Sequence, residues 1–260
     1  NEGVCPAYSD CRMGLSPDKF ILSYCDRALG ITSAEEQPVL PKGNNLSLYL
    51  LELFTSQVAK VGMTDGIRQV LQEESDALRA YYEQAGILIA RPAGGTSCRL
   101  AISAKGGTNA ENHNHNDVGS YAVALGSETM VGDQGGPNSY PGDYFNGDAP
   151  QKYKIKGSFG HPVPVVDGRT QSSGGKAKGV VLQKEFTNEK DVFSIDYTSA
   201  YSTPNLDKLI RTFVYDRQGE GNFTVGDEFT AKTPIRFETA ITTRADWKIL
   251  DDTHLLLATD

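Results

Sequence analysis

The residues of this sequence that could do chemistry are concentrated in one segment, Glu111–Tyr121, which reads ENHNHNDVGSY. It holds His113 and His115, two of the four histidines in the chain. On a β-strand, residues two apart leave the same face, so one strand could present both imidazoles to a single site. Zinc sites in proteins use imidazole and carboxylate ligands, and Asp133 and His161 are the candidates for the remaining positions.

A polar turn is the alternative interpretation of this segment, with Asp117 capping a neighbouring amide. An isolated pair of histidines would favour that alternative. Here, however, three of the four histidines lie around one long loop, Gly132–Asp148, which is rich in Gly, Pro, Asn and Tyr. Long loops without regular structure are more often functional than connective, so the clustering favours a metal site. The fourth histidine, His254, is expected to be a partly buried strand residue.

Residues 1–84 have the pattern of a helical segment and a linker. Ser16-Pro17-Asp18 has the order of an N-cap, an N1 proline and an acidic first turn, and Gly30 follows at a C′ position. These signals predict a helix over Pro17–Leu29. Apolar residues at helical spacing predict a further helix over Asp65–Tyr82.

From Gly86 onward the pattern becomes that of strands. Eleven short runs rich in β-branched or aromatic residues are separated by clusters of Gly, Pro, Asn and Asp. The runs are Ile87–Ala90, Arg99–Ser103, Ser120–Leu125, Thr129–Gly132, Val163–Val166, Val180–Phe186, Val192–Thr198, Ile210–Tyr215, Phe223–Asp227, Ile235–Thr242 and Trp247–Leu250. Without helices between them, they predict a mainly β fold, a large antiparallel β-sandwich over residues 85–260 preceded by the short α-helical segment.

Composition limits the partners. The net charge of −8 argues against nucleic acid or an anionic membrane surface, so an acidic polysaccharide would need a local basic or metal-bearing cleft. No apolar run approaches the ~18 residues of a membrane-spanning helix, and Asn1-Glu-Gly-Val lacks the features of a signal peptide. The four cysteines form no CxxC pair, which favours buried thiols, with a Cys5–Cys11 bridge as the alternative.

The sequence resembles the heparinase II/III-like polysaccharide lyases, whose C-terminal β-sandwich carries an H-N-H-x-D-x-G-S-[FY] segment. His113–Tyr121 follows that pattern without departure. Val131–Gly136 resembles the end of the family's next strand, and Ser158–Gly168 resembles its later histidine segment, which ends in V-D-G. Leu209–Phe229 resembles the late strands of the sandwich. The resemblance covers about residues 85–250, and three segments in this order are more specific than any one of them.

This resemblance implies that His115, Asp133 and His161 ligate a divalent metal, usually zinc, that braces the sandwich against the cleft. His113 would face the substrate, with Asn112 beside it as a weaker candidate contact. In the family, an α/α toroid lies N-terminal to the sandwich and supplies an Asn or His and a Tyr to the active site. Residues 1–84 would be only its last helices and the linker, so the resemblance does not imply that this chain acts alone.

The implied reaction is β-elimination at a uronic acid. It requires neutralisation of the C6 carboxylate, removal of the C5 proton and protonation of the departing oxygen. His113 suits the first demand or proton transfer, since an imidazole exchanges its proton near neutral pH. Tyr144, with Tyr140 as second choice, suits the others, although packing is the alternative for any single tyrosine. Arg169 and Gln171 are candidate substrate contacts, with surface solvation as the alternative.

These inferences predict the C-terminal part of a polysaccharide lyase that acts on a uronic-acid-containing glycan in the periplasm or outside the cell. The alternative is a non-catalytic carbohydrate-binding or structural β-sandwich that retains the metal. A metal-dependent hydrolase with a TIM barrel is disfavoured, because no alternating β/α pattern follows the histidine pair.

Overall fold

A computed structural model of the chain describes Tyr8, residues 78–137 and residues 139–259. The predicted helix Pro17–Leu29 lies outside these residues, as does all but the end of the predicted helix Asp65–Tyr82. The predicted boundary between residues 84 and 85 therefore stays a prediction. Of the four cysteines only Cys98 is described, and it is a buried free thiol, as expected.

Strands dominate the described part of the chain. They are β1 (Arg79–Tyr82), β2 (Ile87–Ala90), β3 (Leu100–Lys105), β4 (Gly107–Asn109), β5 (Tyr121–Leu125), β6 (Glu128–Val131), β7 (Val165–Val166), β8 (Gly174–Phe186), β9 (Lys190–Asp196), β10 (Leu206–Asp216), β11 (Asn222–Ala231), β12 (Phe237–Glu238), β13 (Asp246–Ile249) and β14 (Leu255–Ala258). One helical turn, α1 (Ala149–Lys152), and 3-10 helices at Ser158–Gly160 and Thr198–Ala200 complete the described elements. Within the described residues, no helix is long and apolar enough to cross a membrane.

Ten of the strands form two five-stranded sheets. The first has the order β1-β2-β3-β5-β6 and the second β11-β10-β9-β8-β4, and their pairings are antiparallel. β7 pairs with β12 and β13 pairs with β14 in two smaller ribbons. The chain passes from the edge of the second sheet to the first through residues 110–120, so the histidine segment is a crossing between sheets.

The core lies between the two sheets and draws residues from both. Leu88 and Ile102 of the first sheet belong to the same buried cluster as Phe193 and Phe213 of the second. The Phe193 and Phe213 rings stack with their centroids 6.0 Å apart. Along β10, buried residues alternate with partly exposed ones, which is the period of a strand with one face on a core. The predicted antiparallel β-sandwich is thereby confirmed.

Each of the eleven predicted runs contains a strand, but three details of the prediction are wrong. Arg79–Tyr82 is a strand and not the end of a helix, because Tyr81 packs edge-on against Phe186 and Phe193 of the core. The strands β4 and β14 were not predicted. His254 is exposed in the turn between β13 and β14, where it pairs with Asp251.

Candidate metal centre

The histidine segment is a loop and not a strand. His113 has a φ of 58° and Gly119 a φ of 86°, and both values lie in the left-handed region that reverses an extended chain. As a result the two histidines do not share an environment. His113 is exposed, whereas His115 is fully buried.

Buried polar contacts hold this loop in place. Lys105 Nζ lies 2.6 Å from Asp117 Oδ1, and both side chains are almost completely buried. The predicted alternative, in which Asp117 caps an amide, is therefore replaced by an ion pair. The Gln171 side chain binds both main-chain groups of Val118: its Oε1 accepts from the amide at 3.1 Å and its Nε2 donates to the carbonyl at 2.7 Å.

Three connections bring His115, Asp133 and His161 together. His115 comes from the loop before β5, Asp133 follows β6, and His161 follows a 3-10 helix. One possible ligand atom from each lies within 4.8 Å of the others, and all three residues are buried. His161 Nδ1 is 2.6 Å from Asp133 Oδ2, while Asp133 Oδ1 accepts from the Gly135 amide at 2.9 Å.

One ring nitrogen of each histidine in this group has no hydrogen-bond partner within the described part of the chain. These buried atoms are His115 Nδ1 and His161 Nε2. A buried polar atom that makes no hydrogen bond costs about 1–3 kcal/mol, so two in one cluster call for a ligand. Two imidazole nitrogens and a carboxylate form a donor set that suits zinc. Asp133 could bind the ion itself or orient His161 through the carboxylate–histidine contact.

The pKa values of the two buried histidines shift in opposite directions. Burial lowers the pKa of His115 to about 3, and the nearby charge of His161 acts in the same direction. For His161 burial lowers the pKa, but the Asp133 carboxylate outweighs burial and raises it. Burial raises the pKa of Asp133, against the opposing effect of His161. Burial alone would also raise the pKa of Asp117, but Lys105 outweighs it and lowers that pKa.

An open cleft of about 430 Å³ lies beside this centre. Its lining is rich in side-chain amides and contains one exposed aromatic ring. The lining residues are Asn109, Ala110, Glu111, Asn112, His113, Asn114, Asn116, Phe145, Asn146, Gly147, Pro150, Lys156 and Ser173. The His113 and Phe145 rings meet at a centroid distance of 4.9 Å. The predicted substrate-facing residues His113 and Asn112 thus both lie on the cleft.

The two predicted catalytic tyrosines do not line this cleft. Tyr144 is buried, with its hydroxyl 3.1 Å from His115 Nε2, so it contacts the candidate metal centre. Tyr140 is 43% exposed and packs against the Tyr144 ring at 5.2 Å. A catalytic role for either tyrosine stays a prediction, while Tyr144 has a positioning contact that the sequence did not reveal.

The two predicted substrate contacts near His161 are also not among the residues that line the cleft. Gln171 is buried, and besides its contacts to Val118 its amide accepts from Asn109 Nδ2 at 3.0 Å and donates to the Tyr201 hydroxyl at 3.4 Å. Its hydrogen-bonding capacity is used inside the protein, which gives it a structural role, and the substrate contact stays a prediction. Arg169 is exposed and donates to the Ser202 carbonyl at 3.4 Å.

Arg211 supports the site, and no pattern in the sequence indicates it. This buried arginine on β10 donates to the carbonyls of Gly119 at 2.9 Å and Pro162 at 2.7 Å. These carbonyls belong to the two loops that carry His115 and His161. Asp227 on β11 holds the guanidinium with both carboxylate oxygens, at 2.8 and 2.7 Å. The pair of Arg211 and Asp227 depends on the register of β10 and β11, which no local sequence pattern indicates.

Tyr8 is a second residue that the sequence did not single out. Its hydroxyl donates to Ser103 Oγ at 2.8 Å. Burial raises the pKa of this hydroxyl, and the negative charges of Asp133 and Asp117 act in the same direction. Tyr8 therefore reaches the polar network around His115, Asp133 and His161. No spacing rule links position 8 to that network.

Together, the fold and the site define a class of protein: an antiparallel β-sandwich with two buried histidines and an aspartate beside an asparagine-rich cleft. No protein-family model and no curated protein matches the sequence. Among solved structures, the chain is similar to the heparan sulfate lyase HepC from Pedobacter heparinus, with a TM-score of 0.53 and 15% identity over 88% of this chain and 30% of that one.

Two further solved structures have the same likeness. A structure called heparinase III gives a TM-score of 0.52 and 17% identity, over 90% of this chain and 31% of that one. Another heparinase III gene product gives a TM-score of 0.54 and 13% identity, over 88% and 30%. This likeness shows the fold, and the chain spans less than a third of the length of these structures.

Proposed function

We propose that this chain is the C-terminal sandwich part of a polysaccharide lyase that cleaves a uronic-acid-containing glycan by β-elimination. The observation that supports this most is the position of His113, an exposed imidazole on an open cleft, next to the buried group of His115, Asp133 and His161. The likeness to solved heparan sulfate lyases supports an acidic glycan as the substrate class.

The proposal assigns a divalent metal, zinc by preference, to His115, Asp133 and His161. The unpartnered nitrogens of the two histidines and the neutral state of His115 support this assignment. When bound, the metal would supply a fixed positive centre that ties three connections together, which is a structural task. The protein's own residues then present His113 and the asparagine side chains to the glycan.

His113 would act on the substrate itself. A side chain at this point of the cleft can donate a hydrogen bond to the uronate carboxylate or exchange a proton at C5 or at the departing oxygen. Its backbone φ of 58° is uncommon for a residue other than glycine, and such conformations concentrate at functional sites. The strained conformation therefore agrees with a functional role for the imidazole.

The other active-site residues that the reaction requires would come from a second domain. The chain spans about 30% of the heparan sulfate lyase structure, which supports an α/α toroid ahead of the sandwich as the partner domain. An acidic polysaccharide outside the cytoplasm would place the protein in the periplasm or the extracellular space.

A non-catalytic carbohydrate-binding or structural module is the second candidate. One observation favours it: among the described residues that line the cleft there is no tyrosine to act as acid or base. The asparagine-rich lining would serve a binding module equally well, because amides hydrogen-bond sugar hydroxyls.

The product of the reaction distinguishes a lyase from a non-catalytic module. Heparan sulfate and alginate are incubated with the 260-residue chain, and with a longer protein in which a toroid domain precedes it. Elimination creates an unsaturated uronate that absorbs in the ultraviolet. A lyase should form this product, and His113→Ala should slow its formation by about 10²–10⁴-fold, whereas His254→Ala, at an exposed histidine between β13 and β14, should not. Intact glycan in every reaction would remove the lyase assignment.

A further inference from the structure

A pair of exposed lysines lies on β8, a few residues beyond the cleft. Ser173 lines the cleft, β8 begins at the next residue, and Lys176 and Lys178 follow on that strand. Both lysines are exposed, whereas Ala177 between them is buried in the core. Because strand residues two apart leave the same face, both ammonium groups stand on one face of the sheet, with their Cα atoms about 7 Å apart.

Neither lysine has an acidic partner among the described residues. No ion pair with a described carboxylate is formed by Lys176 or by Lys178. Other exposed lysines do form such pairs, namely Lys152, Lys184 and Lys232. The two positive charges on β8 therefore stand together and are open to a ligand, in a chain whose net charge is −8.

The acidic residues on the neighbouring elements bind main-chain amides instead. Glu111 Oε1 accepts from the amide of Thr108, the β4 residue opposite Lys178, at 3.1 Å. Asp196 lies opposite Val180 on β9, and its Oδ1 accepts from the Thr198 amide at 3.0 Å. These hydrogen bonds give both carboxylates partners other than the two lysines.

The chain between the cleft and the lysines carries no side chains. Gly174 has a φ of 95°, which favours glycine, and a Cβ built there would meet no atom within 4 Å. A Cβ at Gly175 would meet only the Cβ of Ala110 in the cleft lining, at 3.7 Å. The space beside both glycines is open, so an extended ligand can pass from the cleft to the lysines.

The cleft itself supplies little positive charge. Apart from His113, the charged side chains in its described lining are one lysine and one glutamate, Lys156 and Glu111. Opposite charges in equal number give no net attraction for a polyanion at long range. An acidic glycan that is longer than the cleft therefore needs cations outside the lining.

From this arrangement we infer that Lys176 and Lys178 bind carboxylates of the glycan where it extends beyond the cleft. The glycan passes over Gly174 and Gly175, and its uronate carboxylates pair with the two ammonium groups. The inference rests on the proposed function in that the ligand is a uronic-acid-containing glycan. It assigns a second contact region to the sandwich, which serves long chains and not the reacting sugar.

The test compares one glycan with and without its charges. A heparosan decasaccharide, which carries carboxylates and no sulfate, is titrated by calorimetry beside its carboxyl-reduced form. A heparosan disaccharide is the short ligand, because Ser173 and Lys178 are about 17 Å apart along an extended chain. All proteins carry His113→Ala, so that cleavage is slow during the titration.

The double variant Lys176→Gln/Lys178→Gln should bind the acidic decasaccharide about threefold to thirtyfold more weakly, since two exposed ion pairs are lost. Its affinities for the reduced decasaccharide and for the disaccharide should not change. High salt should abolish the difference, because exposed charges are screened.

The control is Lys190→Gln/Lys248→Gln, which makes the same change of charge at exposed positions on β9 and β13. It should keep the affinity for the acidic decasaccharide within about twofold, because screening weakens the effect of distant charges.

Three results would overturn the inference: an unchanged affinity of Lys176→Gln/Lys178→Gln for the acidic decasaccharide, an equal loss in the control variant, or an equal loss for the reduced form. No binding of any glycan by the protein with both lysines would overturn it as well. The proposed function is judged by the unsaturated uronate product, so either proposal can fail alone.

Discussion

Each of the two buried histidines uses one ring nitrogen within the protein, and the other has no hydrogen-bond partner among the residues that the structure describes. His115 places Nε2 on the Tyr144 hydroxyl, and His161 places Nδ1 on the Asp133 carboxylate. A hydrogen bond at one nitrogen fixes both the orientation of the ring and the atom that is available to a ligand. The two open nitrogens are thus set by neighbouring side chains before any ion binds.

A first prediction concerns Tyr144, whose hydroxyl would orient His115. Tyr144→Phe keeps the buried ring and removes the contact to Nε2. Outer partners of metal ligands typically contribute 10–100-fold to metal affinity, so we expect zinc to bind about tenfold more weakly. The measurement is a competition titration against a chromogenic chelator.

Tyr140→Phe is the control for that experiment, because Tyr140 lies in the same loop and is largely exposed. It should leave zinc affinity unchanged. Equal zinc affinities of wild type and Tyr144→Phe would show that the hydroxyl does not position His115.

For individual residues, the sequence predicted which side chains of the candidate site come together, but not which other residues contact them. The family resemblance grouped His115, Asp133 and His161, whereas spacing on a strand would have placed His113 beside His115, which the structure contradicts. The burial of Gln171 was not predictable, because its partner Val118 lies 53 positions away in the chain and no local pattern links the two. The same applies to Tyr144, whose place was decided by the packing of a long loop.

Arg211 connects the strand β10 to the two loops that carry His115 and His161. Its guanidinium joins the loops of both histidines to β10, and Asp227 anchors it from β11. The sheet thereby fixes the distance between Gly119 and Pro162, which are 43 positions apart in the chain. The eleven strand runs were predictable from their period of two, whereas this crosslink depends on the register of two particular strands.

Removal of this crosslink should destabilise the fold and the metal centre together. Arg211→Met leaves the partly buried Asp227 with the Tyr197 hydroxyl but without its charged partner, and it removes the donor to two carbonyls. Loss of one member of a buried ion pair costs about 3–5 kcal/mol, so we expect a decrease of about 3 kcal/mol in the free energy of unfolding in urea. Zinc affinity should also fall.

Lys208→Met serves as the matched control on the same strand. It breaks the exposed pair between Lys208 and Glu228, and such pairs contribute about 0–1 kcal/mol. If the two variants unfold at the same urea concentration, Arg211 does not have the role assigned to it.

For the whole molecule, the sandwich supplies rigidity and the connections supply the site. The phenylalanine core between the sheets fixes the strand ends, and the proposed metal would lock three connections against them. The alternating pattern predicted the sandwich, but not that the histidine segment is a loop with positive φ at His113. His113 has this conformation in the segment where the chain crosses from one sheet to the other. A crossing between sheets leaves no periodic pattern in the sequence.

Zinc should therefore stabilise the whole sandwich and not only its loops. Free zinc at 100 times its dissociation constant is expected to add about 2.7 kcal/mol to the free energy of unfolding, which a thermal melt would detect as a higher midpoint. A chelator should reverse the shift, and His161→Ala should show none. A midpoint in wild type that does not respond to zinc would contradict this coupling.

The measurement that tests the central claim most directly is the metal content of the purified chain after dialysis against a weak chelator. We expect about one zinc ion per chain in wild type, almost none in His115→Ala and His161→Ala, and an unchanged content in His254→Ala, whose histidine is exposed in a distant turn. Wild-type protein without zinc, or zinc retained in both ligand variants, would contradict the metal centre.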